Sequence, residues 1–428
     1  MLINLNYGKQ GLDLNLPDEL DVTVIRKKNM PVLEDPVVCA QRALLEPVGC
    51  LALREEAAGC KTACIAICDI TRPVPNSAFL RAIVEELVSG GVPLQGITIL
   101  IATGLHRPNE GEELKQIVGD EWVLENVRVE NHFAKNDSDH VCLGNTSCGT
   151  PVKIDRRFIE ADLKIVTGLV EPHFMAGFSG GRKLITPGMA SDETIRHIHK
   201  AVFLDHPKSD NCILEGNPVH IEQMEIMGKI GKVLAMNTVL DEERRLSYIN
   251  FGEAEASHKD AVSFLMNYVE CPVEKQYSTV VTTNAGDPLD RVYYQAVKGM
   301  VGAKELVAPG GNLFIACECS EGLGSEEFID AQKRLIKLGP EKFMESILKT
   351  PSAEIDEWGT QCLIKAVVKC KVNMYADGLS DDEKALTGVH IVEDLQGAVL
   401  ESIKQSGNNQ VLVIPEGPYV VAVLEGKV

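Results

Sequence analysis

Aromatic residues are sparse in this sequence, and long apolar runs are missing. Only 5% of the 428 residues are Phe, Trp or Tyr, and only two are Trp. No stretch reaches the roughly 20 apolar residues that a membrane-spanning helix needs. The first twenty residues do not place a basic segment before an apolar one, as a secretion signal does. We therefore expect a cytoplasmic protein without a membrane partner.

Positive charge is also in short supply. Lys and Arg number 42 against 62 Asp and Glu, which leaves a formal net charge of −20. A surface with this excess of negative charge repels a phosphate backbone, so nucleic acid is not an expected partner. An anionic substrate would need a locally cationic pocket. Nothing in the sequence indicates an oligomeric state.

Cysteine is present, but not in the pattern of a disulfide framework. The count of 13 is odd, and without a secretion signal we expect free, mostly buried thiols. The one tight pair, Cys317-Glu318-Cys319, ends the apolar run LFIACEC. A single C-x-C in such a run is more typical of a strand than of a metal site.

Apolar runs alternate with amphipathic stretches, which predicts α/β units and largely parallel sheets. Hydrophobic residues make up 45% of the chain, enough for a large core. We expect two α/β domains with the active-site cleft between them. The first domain would comprise residues 1–267 and the tail 396–428, the second residues 275–390, and residues 266–275 would form a linker.

Three apolar runs in the first half end in polar turns. They are TACIAIC before DITRP (69–73), GITILIATG before LHR (105–107), and LKIVTGLV before EPH (171–173). Ligands of doubly wound sheets lie outside the carboxyl ends of the strands. If the three runs are neighbouring strands, Asp69, Arg72, His106 and His173 converge there. Taken alone, the Asp69 segment is more typical of an Asp-initiated turn with a solvated Arg.

The densest motif is EPHFMAGFSGGRK at residues 171–183. Glycine lets backbone amides approach a phosphate, and Arg182 and Lys183 would neutralise it. The segment matches neither the Walker A motif nor the dinucleotide-binding motif. On its own it is equally typical of a surface turn.

Residues 191–204 predict a helix that begins at Ser191 or Asp192 and carries His197 and His199. Side chains two apart on a helix point in different directions, so both rings cannot easily hold one ion. His106, His173 and His199 could formally supply the three ligands of a zinc hydrolase. For any single histidine, a role as a hydrogen-bonded turn or core residue is the more common case.

The second half contains a helix-like segment at 290–307, on which Gln295 and Lys298 share a face. Together they could contact an anion or a hydroxyl, although an ordinary exposed face is the more common case. Trp358 is either a core anchor or a pocket wall.

In order and spacing, these motifs resemble those of the nickel-pincer lactate racemase family over nearly the whole chain. The matching segments are DxTRP at 69–73, ATGxHR at 102–107, EPH at 171–173, the GGRK loop ending at Lys183, His199, YQxxK at 294–298, and Trp358. The resemblance implies an isomerase, a racemase or epimerase of a small lactate-like 2-hydroxy acid. Its cofactor would be the nickel-pincer nucleotide, a nickel pyridinium-3,5-bisthiocarboxylic acid mononucleotide supplied by maturation enzymes.

The resemblance also implies a role for each matching residue. Lys183 would be bound covalently to the cofactor, and His199 would be the protein ligand of the nickel. His106 and His173 would be the two acid/base residues. Further cofactor contacts would come from Asp69, Thr71, Gly180, Gly181 and Arg182, and substrate contacts from Arg72, Tyr294, Gln295, Lys298 and Trp358.

General chemistry agrees with these roles. The α-proton of a 2-hydroxy acid is very weakly acidic, and removing hydride instead needs an electron sink, which a pyridinium-type ring provides and side chains do not. Imidazole titrates near neutrality, so each histidine could serve one enantiomer. Two alternatives remain: a zinc hydrolase using His106, His173 and His199, and a non-catalytic nucleotide-binding or carrier protein. The missing dinucleotide fingerprint disfavours an NAD-type dehydrogenase.

Overall fold

The computed structural model describes residues 1–424. Its strands are β1 (Leu2–Leu5), β2 (Leu12–Asn15), β3 (Asp21–Val24), β4 (Ala63–Cys68), β5 (Ile97–Ala102), β6 (Arg128–Asn131), β7 (His140–Asn145), β8 (Pro151–Asp155), β9 (Leu163–Leu169), β10 (Pro172–His173), β11 (Gly177–Phe178), β12 (Leu234–Leu240), β13 (Leu246–Glu253), β14 (Glu270–Val273), β15 (Tyr277–Thr283), β16 (Val307–Ala316), β17 (Lys371–Tyr375), β18 (His390–Ile391), β19 (Gln410–Ile414) and β20 (Val421–Leu424).

The same residues contain short and medium-length helices. They are α1 (Pro36–Leu45), α2 (Leu53–Glu56), α3 (Leu80–Ser89), α4 (Glu112–Val118), α5 (Glu121–Asn126), α6 (Arg156–Glu160), α7 (Arg182–Ile185), α8 (Asp192–Ile198), α9 (Ala201–Leu204), α10 (Pro218–Ile230), α11 (Ala254–Val269), α12 (Tyr293–Ala303), α13 (Glu326–Leu338), α14 (Pro340–Ile347), α15 (Glu357–Val367), α16 (Asp381–Lys384) and α17 (Leu395–Ser406). None of these helices is long and apolar enough to cross a bilayer.

The chain forms two compact units, each built around a six-stranded sheet. Unit 1 comprises Met1–Lys28, His199–Cys212 and the described residues from Tyr268 onward, and unit 2 comprises Asn29–Ile198 and Ile213–Asn267. Both sheets are largely parallel and alternate with helices along the chain. The expected pair of α/β domains is therefore confirmed.

The expected boundaries need correction. The tail was expected in the first domain, but its strand β19 pairs with β15 and with the N-terminal strand β3, so it completes the sheet of unit 1. The segment His199–Cys212 also belongs to unit 1. The expected linker is structured, because α11 runs to Val269 and β14 pairs with β20. Residues 425–428 of the predicted tail lie outside the described residues.

The sheet of unit 2 has the strand order β13-β12-β9-β4-β5-β6. The three apolar runs of the sequence are β4, β5 and β9, and they are parallel neighbours as expected. From β4 the chain moves to β5 and β6 on one side and then to β9 and β12 on the other. The direction of winding thus changes at β4, and such a switch point opens a crevice at the carboxyl ends of the strands.

Burial explains why these runs form central strands. Residues from Ala63 to Ile67 in β4 and from Ile97 to Ile101 in β5 are all buried. Ile65 and Ile99 pack with Phe79 and Ile83 in one hydrophobic cluster. A strand covered on both faces reads as a continuous apolar run, which is why the sequence reveals it.

The sheet of unit 1 is parallel throughout, in the order β18-β17-β16-β15-β19-β3. Val281, Phe314 and Val413, from three neighbouring strands, share a core cluster with Val399 of α17. All 13 cysteines are free, as expected, but only six are buried; five are half-buried, and Cys142 and Cys148 are exposed. Cys317 and Cys319 follow the end of β16, with their sulfurs 3.5 Å apart.

Helix α12 packs against β15 through a glycine, and this contact yields a stability prediction. A Cβ on Gly299 would press on the carbonyl oxygen of Thr283, whereas a Cβ on Gly302 would meet nothing nearer than 3.8 Å. We expect Gly299→Ala to lower the free energy of unfolding by about 1–3 kcal/mol through overpacking. The matched Gly302→Ala should raise it by up to about 1 kcal/mol through helix propensity. Urea denaturation measures both, and equal effects would contradict the contact.

Candidate active site

The loops after β4 and β5 join in a short hydrogen-bonded chain. The Nδ1 atom of His106 lies 2.6 Å from Oδ2 of Asp69, and the Thr71 hydroxyl donates to the other carboxylate oxygen at 2.6 Å. The Asp69 side chain is only 7% exposed, whereas that of His106 is 59% exposed. The carboxylate therefore anchors a ring whose far edge is open to ligands.

These partners stabilise the charged form of the Asp69 carboxyl. Burial alone would raise the pKa of this carboxyl, but the hydrogen bonds from His106 and Thr71 and the nearby charge of Arg72 outweigh it, and the net pKa is lowered. A carboxylate accepts only, so the His106 Nδ1 carries a proton. The lone pair of a neutral His106 ring is then on Nε2, where a general base needs it.

Arg72 connects the turn after β4 to the loop after β9. Its Nη1 atom donates to the backbone oxygen of Thr71 at 3.1 Å, and its Nε atom lies 4.0 Å from a carboxylate oxygen of Glu171. About one third of each side chain is exposed, 33% for Arg72 and 31% for Glu171. A guanidinium at this position suits bidentate capture of a carboxylate.

His173 is held by a different set of partners. Its Nδ1 atom accepts hydrogen bonds from the amides of Met175 and Ala176, both at 3.2 Å, and its ring stacks on Phe174. The proton of a neutral ring must then be on Nε2. His173 thus presents a donor where His106 presents an acceptor, so the two histidines are held in opposite tautomers.

Strand order sets the separation of these two loops. His106 follows β5 and His173 follows β9, with β4 between the two strands. Adjacent strands lie about 4.8 Å apart, so the two strand ends are about 10 Å apart. Asp69 and Arg72 follow the strand between them. This brings together the polar turns that the sequence predicted to converge.

The Gly-rich loop is closed at its base by Ser179. The Ser179 hydroxyl donates to the carbonyl of Leu169 at 2.7 Å and accepts from the amide of Glu171 at 2.9 Å. Gly180 and Gly181 follow with φ angles of +83° and +47°, a region that favours glycine. The amides of these two glycines donate to no acceptor within residues 1–424.

Lys183 and Arg182 have very different surroundings. Lys183 is half-buried in the first turn of α7, and its amide donates to the carbonyl of Gly180 at 3.0 Å. Arg182 is only 3% exposed and turns inward, where it donates to the carbonyl oxygens of Ala176 and Phe178. The structure therefore does not support the predicted cofactor contact by the Arg182 side chain, because its guanidinium is used to hold the loop.

His199 is not helical, contrary to the prediction for residues 191–204. Helix α8 ends at Ile198, and Lys200, with φ −57° and ψ 143°, has an extended backbone that separates α8 from α9. The His199 ring lies 4.5 Å from that of Trp358, with the two planes at 30°. His197 stays on α8, and its Nδ1 lies 2.8 Å from the carbonyl of Glu193.

Unit 1 holds a polar and aromatic cluster around Trp358. Its indole Nε1 donates to the hydroxyl of Tyr294 at 2.9 Å, and its side chain is 7% exposed. Gln295 and Lys298 lie on the same helix, α12, as predicted. The buried side-chain oxygen of Gln295 has no hydrogen-bond partner in the described chain. An orphaned buried acceptor of this kind suits a ligand hydroxyl.

The described residues do not form a preassembled metal site. Within residues 1–424, no group of three or more His, Cys, Asp or Glu side chains is placed to hold a metal ion. This finding gives the zinc-hydrolase alternative no structural support, since a catalytic zinc needs three protein ligands.

Some supporting residues were missed by the sequence analysis. Glu113 pairs with Arg107 through two contacts of 2.7 Å, and Asn109 accepts from the amide of Ile70 at 3.3 Å, so both brace the loops that carry Asp69 and His106. The six-residue spacing from Arg107 to Glu113 was a weak signal. No local signal marks Ser179.

Two family models together match most of this chain. The model of the lactate racemase N-terminal domain matches residues 7–211, and that of the lactate racemase C-terminal domain matches residues 273–423. The chain is 32% identical to the lactate racemase of Thermoanaerobacterium thermosaccharolyticum over 427 residues, 98% of each chain. It is also 32% identical to that of Lactiplantibacillus plantarum, over 98% of this chain and 99% of the relative.

Solved structures extend the likeness to the fold. The apoprotein of the Thermoanaerobacterium thermosaccharolyticum lactate racemase superposes with a TM-score of 0.89 at 30% identity, over 99% of this chain and 100% of that one. A Thermotoga maritima protein shares the fold at a TM-score of 0.67 and 18% identity, over 93% of this chain and 100% of that one. The matches span both units and nearly the full length, so the chain belongs to the lactate racemase family.

Proposed function

We propose that this protein is a racemase of a small 2-hydroxy acid, with lactate as the first substrate to test. The observation that carries the proposal is the pair of histidines, His106 and His173, on the loops that flank the switch point of unit 2. When the carbon-bound hydrogen leaves as hydride, the hydroxyl proton of each enantiomer must be removed from its own side, and two separate imidazoles supply a base for each. Curated relatives of 32% identity carry the name lactate racemase.

The surroundings of the Gly-rich loop fit the nickel-pincer nucleotide that the family resemblance implies. The unpaired amides of Gly180 and Gly181 suit a phosphate, and Lys183 places a half-buried amine in the next turn. We propose that Lys183 holds the cofactor covalently, that Asp69 and Thr71 border it, and that His199 is the protein ligand of the nickel. When bound, the cofactor would supply the electron sink that accepts hydride from the substrate carbon.

We propose that side chains of the protein carry out the remaining steps. Arg72 binds the substrate carboxylate, and the neutral His106 takes the hydroxyl proton at Nε2. His173 serves the opposite face, where its Nε2–H is a hydrogen-bond donor in the present arrangement. To accept a proton at Nε2, this ring must first exchange its contacts with the amides of Met175 and Ala176. In unit 1, Tyr294, Gln295, Lys298 and Trp358 are proposed substrate-binding residues.

The test is a panel of enantiopure 2-hydroxy acids followed by chiral chromatography. The full chain is co-produced with the cofactor-maturation enzymes, and a parallel preparation without those enzymes is the control. We expect D- and L-lactate to interconvert only with the first preparation. Absence of racemisation for every acid in the panel, in protein whose cofactor adduct is verified by mass, would refute the proposal. Interconversion of another acid but not of lactate would correct the substrate alone.

The Asp69–His106 hydrogen bond predicts a specific effect of Asp69→Asn. An amide can donate to Nδ1 as well as accept from it, so the variant no longer selects the tautomer with a free Nε2. We expect kcat to fall on the order of 10²-fold, with little change in KM. The control is Asp162→Asn, which alters an exposed aspartate at the amino end of β9. Equal kcat in both variants would contradict the positioning role.

A further inference from the structure

A buried cation without an anionic partner lies behind the Gly-rich loop of unit 2. Arg182 is 3% exposed, and no carboxylate within residues 1–424 is paired with it. Its Nη2 atom donates to the carbonyl oxygens of Ala176 at 2.8 Å and Phe178 at 3.2 Å. Its buried Nε atom has no acceptor among the described residues. Burial lowers the pKa of Arg182 to about 9, so the group stays charged at neutral pH.

The neighbouring histidine does not satisfy the guanidinium. The Nε2 atom of His258 lies 2.7 Å from the carbonyl oxygen of Ser179 and 3.3 Å from Nη1 of Arg182. Because a carbonyl oxygen only accepts, Nε2 must carry the proton and donate to Ser179. The Nη1 atom therefore faces another donor. Two donor nitrogens of Arg182, Nε and Nη1, lack an acceptor in the described chain.

These groups line a small cavity. Arg182, His220 and His258 border a cavity of about 10 Å³. The Nδ1 atom of His220 is also buried, with no hydrogen-bond partner in the part of the chain that the structure describes. Burial and the charge of Arg182 lower the pKa of His220 to about 4 and that of His258 to about 3, so both rings are neutral.

The rest of the lining adds little net charge. Lys259 borders the cavity but is paired with Glu255, whose carboxylate lies 2.6 Å from the ammonium nitrogen. Met224 and Met227 contribute apolar surface. The uncompensated charge in this space is therefore that of Arg182.

We propose that this cavity binds a small monovalent anion of the size of chloride. A buried charge without a partner is strongly unfavourable, and an anion supplies both the opposite charge and the acceptor that Nε and Nη1 lack. A water molecule would accept hydrogen bonds from Nε and Nη1 but would leave the charge of Arg182 uncompensated. Arg182 donates hydrogen bonds to two carbonyls of the loop that carries Lys183, so the anion orders this loop whatever reaction the protein catalyses.

The first test uses the full chain without cofactor. Its thermal midpoint is measured in sodium chloride, bromide and gluconate at constant pH and ionic strength. We expect the two halides to raise the midpoint by about 2–4 °C in a saturable manner, and gluconate not to. Crystals grown in bromide should show an anomalous peak next to the Arg182 guanidinium. If there is no halide-specific shift and no such peak, the cavity holds water and the proposal fails.

Three variants test whether the halide effect on the thermal midpoint arises at this cavity. Arg182→Met should abolish the halide dependence of the midpoint. The His220 ring makes no described hydrogen bond to the loop, and its Nδ1–H tautomer can donate to an anion. His220→Leu should therefore weaken halide binding about tenfold, as expected for one hydrogen bond to a charged group. The matched control is Lys229→Met, which removes an exposed cation from the same helix, α10, and should respond to halide like the wild type. Loss of the response in Lys229→Met would indicate general charge screening and overturn the proposal.

Discussion

Replacing His106 or His173 by alanine is expected to lower kcat/KM for racemisation of lactate by about 10³–10⁴-fold, the upper part of what a positioned acid/base group contributes. The equilibrium constant between enantiomers is one, so each variant must lose kcat/KM equally in both directions. Chiral chromatography measures both directions. The control is His197→Ala, since that ring contacts only a carbonyl of its own helix among the partners described for it, and it should keep wild-type turnover.

Single-turnover measurements can distinguish the role of His106 from that of His173. His106 already presents a free Nε2, whereas His173 has its proton there. We therefore expect 2-keto acid to form faster from one enantiomer in the wild type. His106→Ala should abolish this faster phase and spare the slower one, and His173→Ala should do the reverse. Rapid-quench measurement of keto acid tests this, and equal loss of both phases in each variant would contradict separate roles.

Lys183→Arg is expected to abolish covalent attachment of the cofactor, and racemisation with it. The substitution keeps the positive charge, but a guanidinium cannot replace the amine in an amide-type bond to the cofactor. Intact-mass analysis of protein co-produced with the maturation enzymes should show the added mass in the wild type and none in the variant. Peptide mapping should place it on residue 183.

Lys164→Arg is the matched control for that experiment. Lys164 is also half-buried in unit 2, and burial lowers the pKa of its amine, which makes it another nucleophilic lysine of the same unit. We expect the variant to carry the adduct in full. An adduct that persists in Lys183→Arg, or disappears in Lys164→Arg, would move the attachment point and refute the role of Lys183.

The central strands of unit 2 could be predicted from the sequence because the pattern that marks them lies within each strand and the turn after it. The runs that became β4, β5 and β9 are buried on both faces, so each is continuously apolar, and each ends in turn residues. Parallel neighbours share an edge at their carboxyl ends, so placing Asp69, His106 and His173 together followed from strand type alone. The helix of Gln295 and Lys298 was equally local.

Other features depended on partners distant in sequence. The tail strand β19 could pair in either unit as judged by its residues, and only hydrogen bonds to β15 and β3 assign it to unit 1. The helix signal of residues 191–204 was continuous, yet the extended backbone at Lys200 breaks it and His199 packs on Trp358, more than 150 residues away.

By itself, the sequence determined the fold class, the family and the strand ends that carry the proposed acid/base residues, because periodicity, turn residues and motif order are local properties of the chain. The tertiary structure alone decided that Arg182 turns inward and that His106 and His173 are held in opposite tautomers. Those outcomes depend on which carbonyl, amide or carboxylate lies within about 3 Å of a side chain in the folded state. His106 lies 2.6 Å from Asp69 because two strands pack side by side, and Arg182 lies 2.8 Å from the carbonyl of Ala176 because the loop closes on itself.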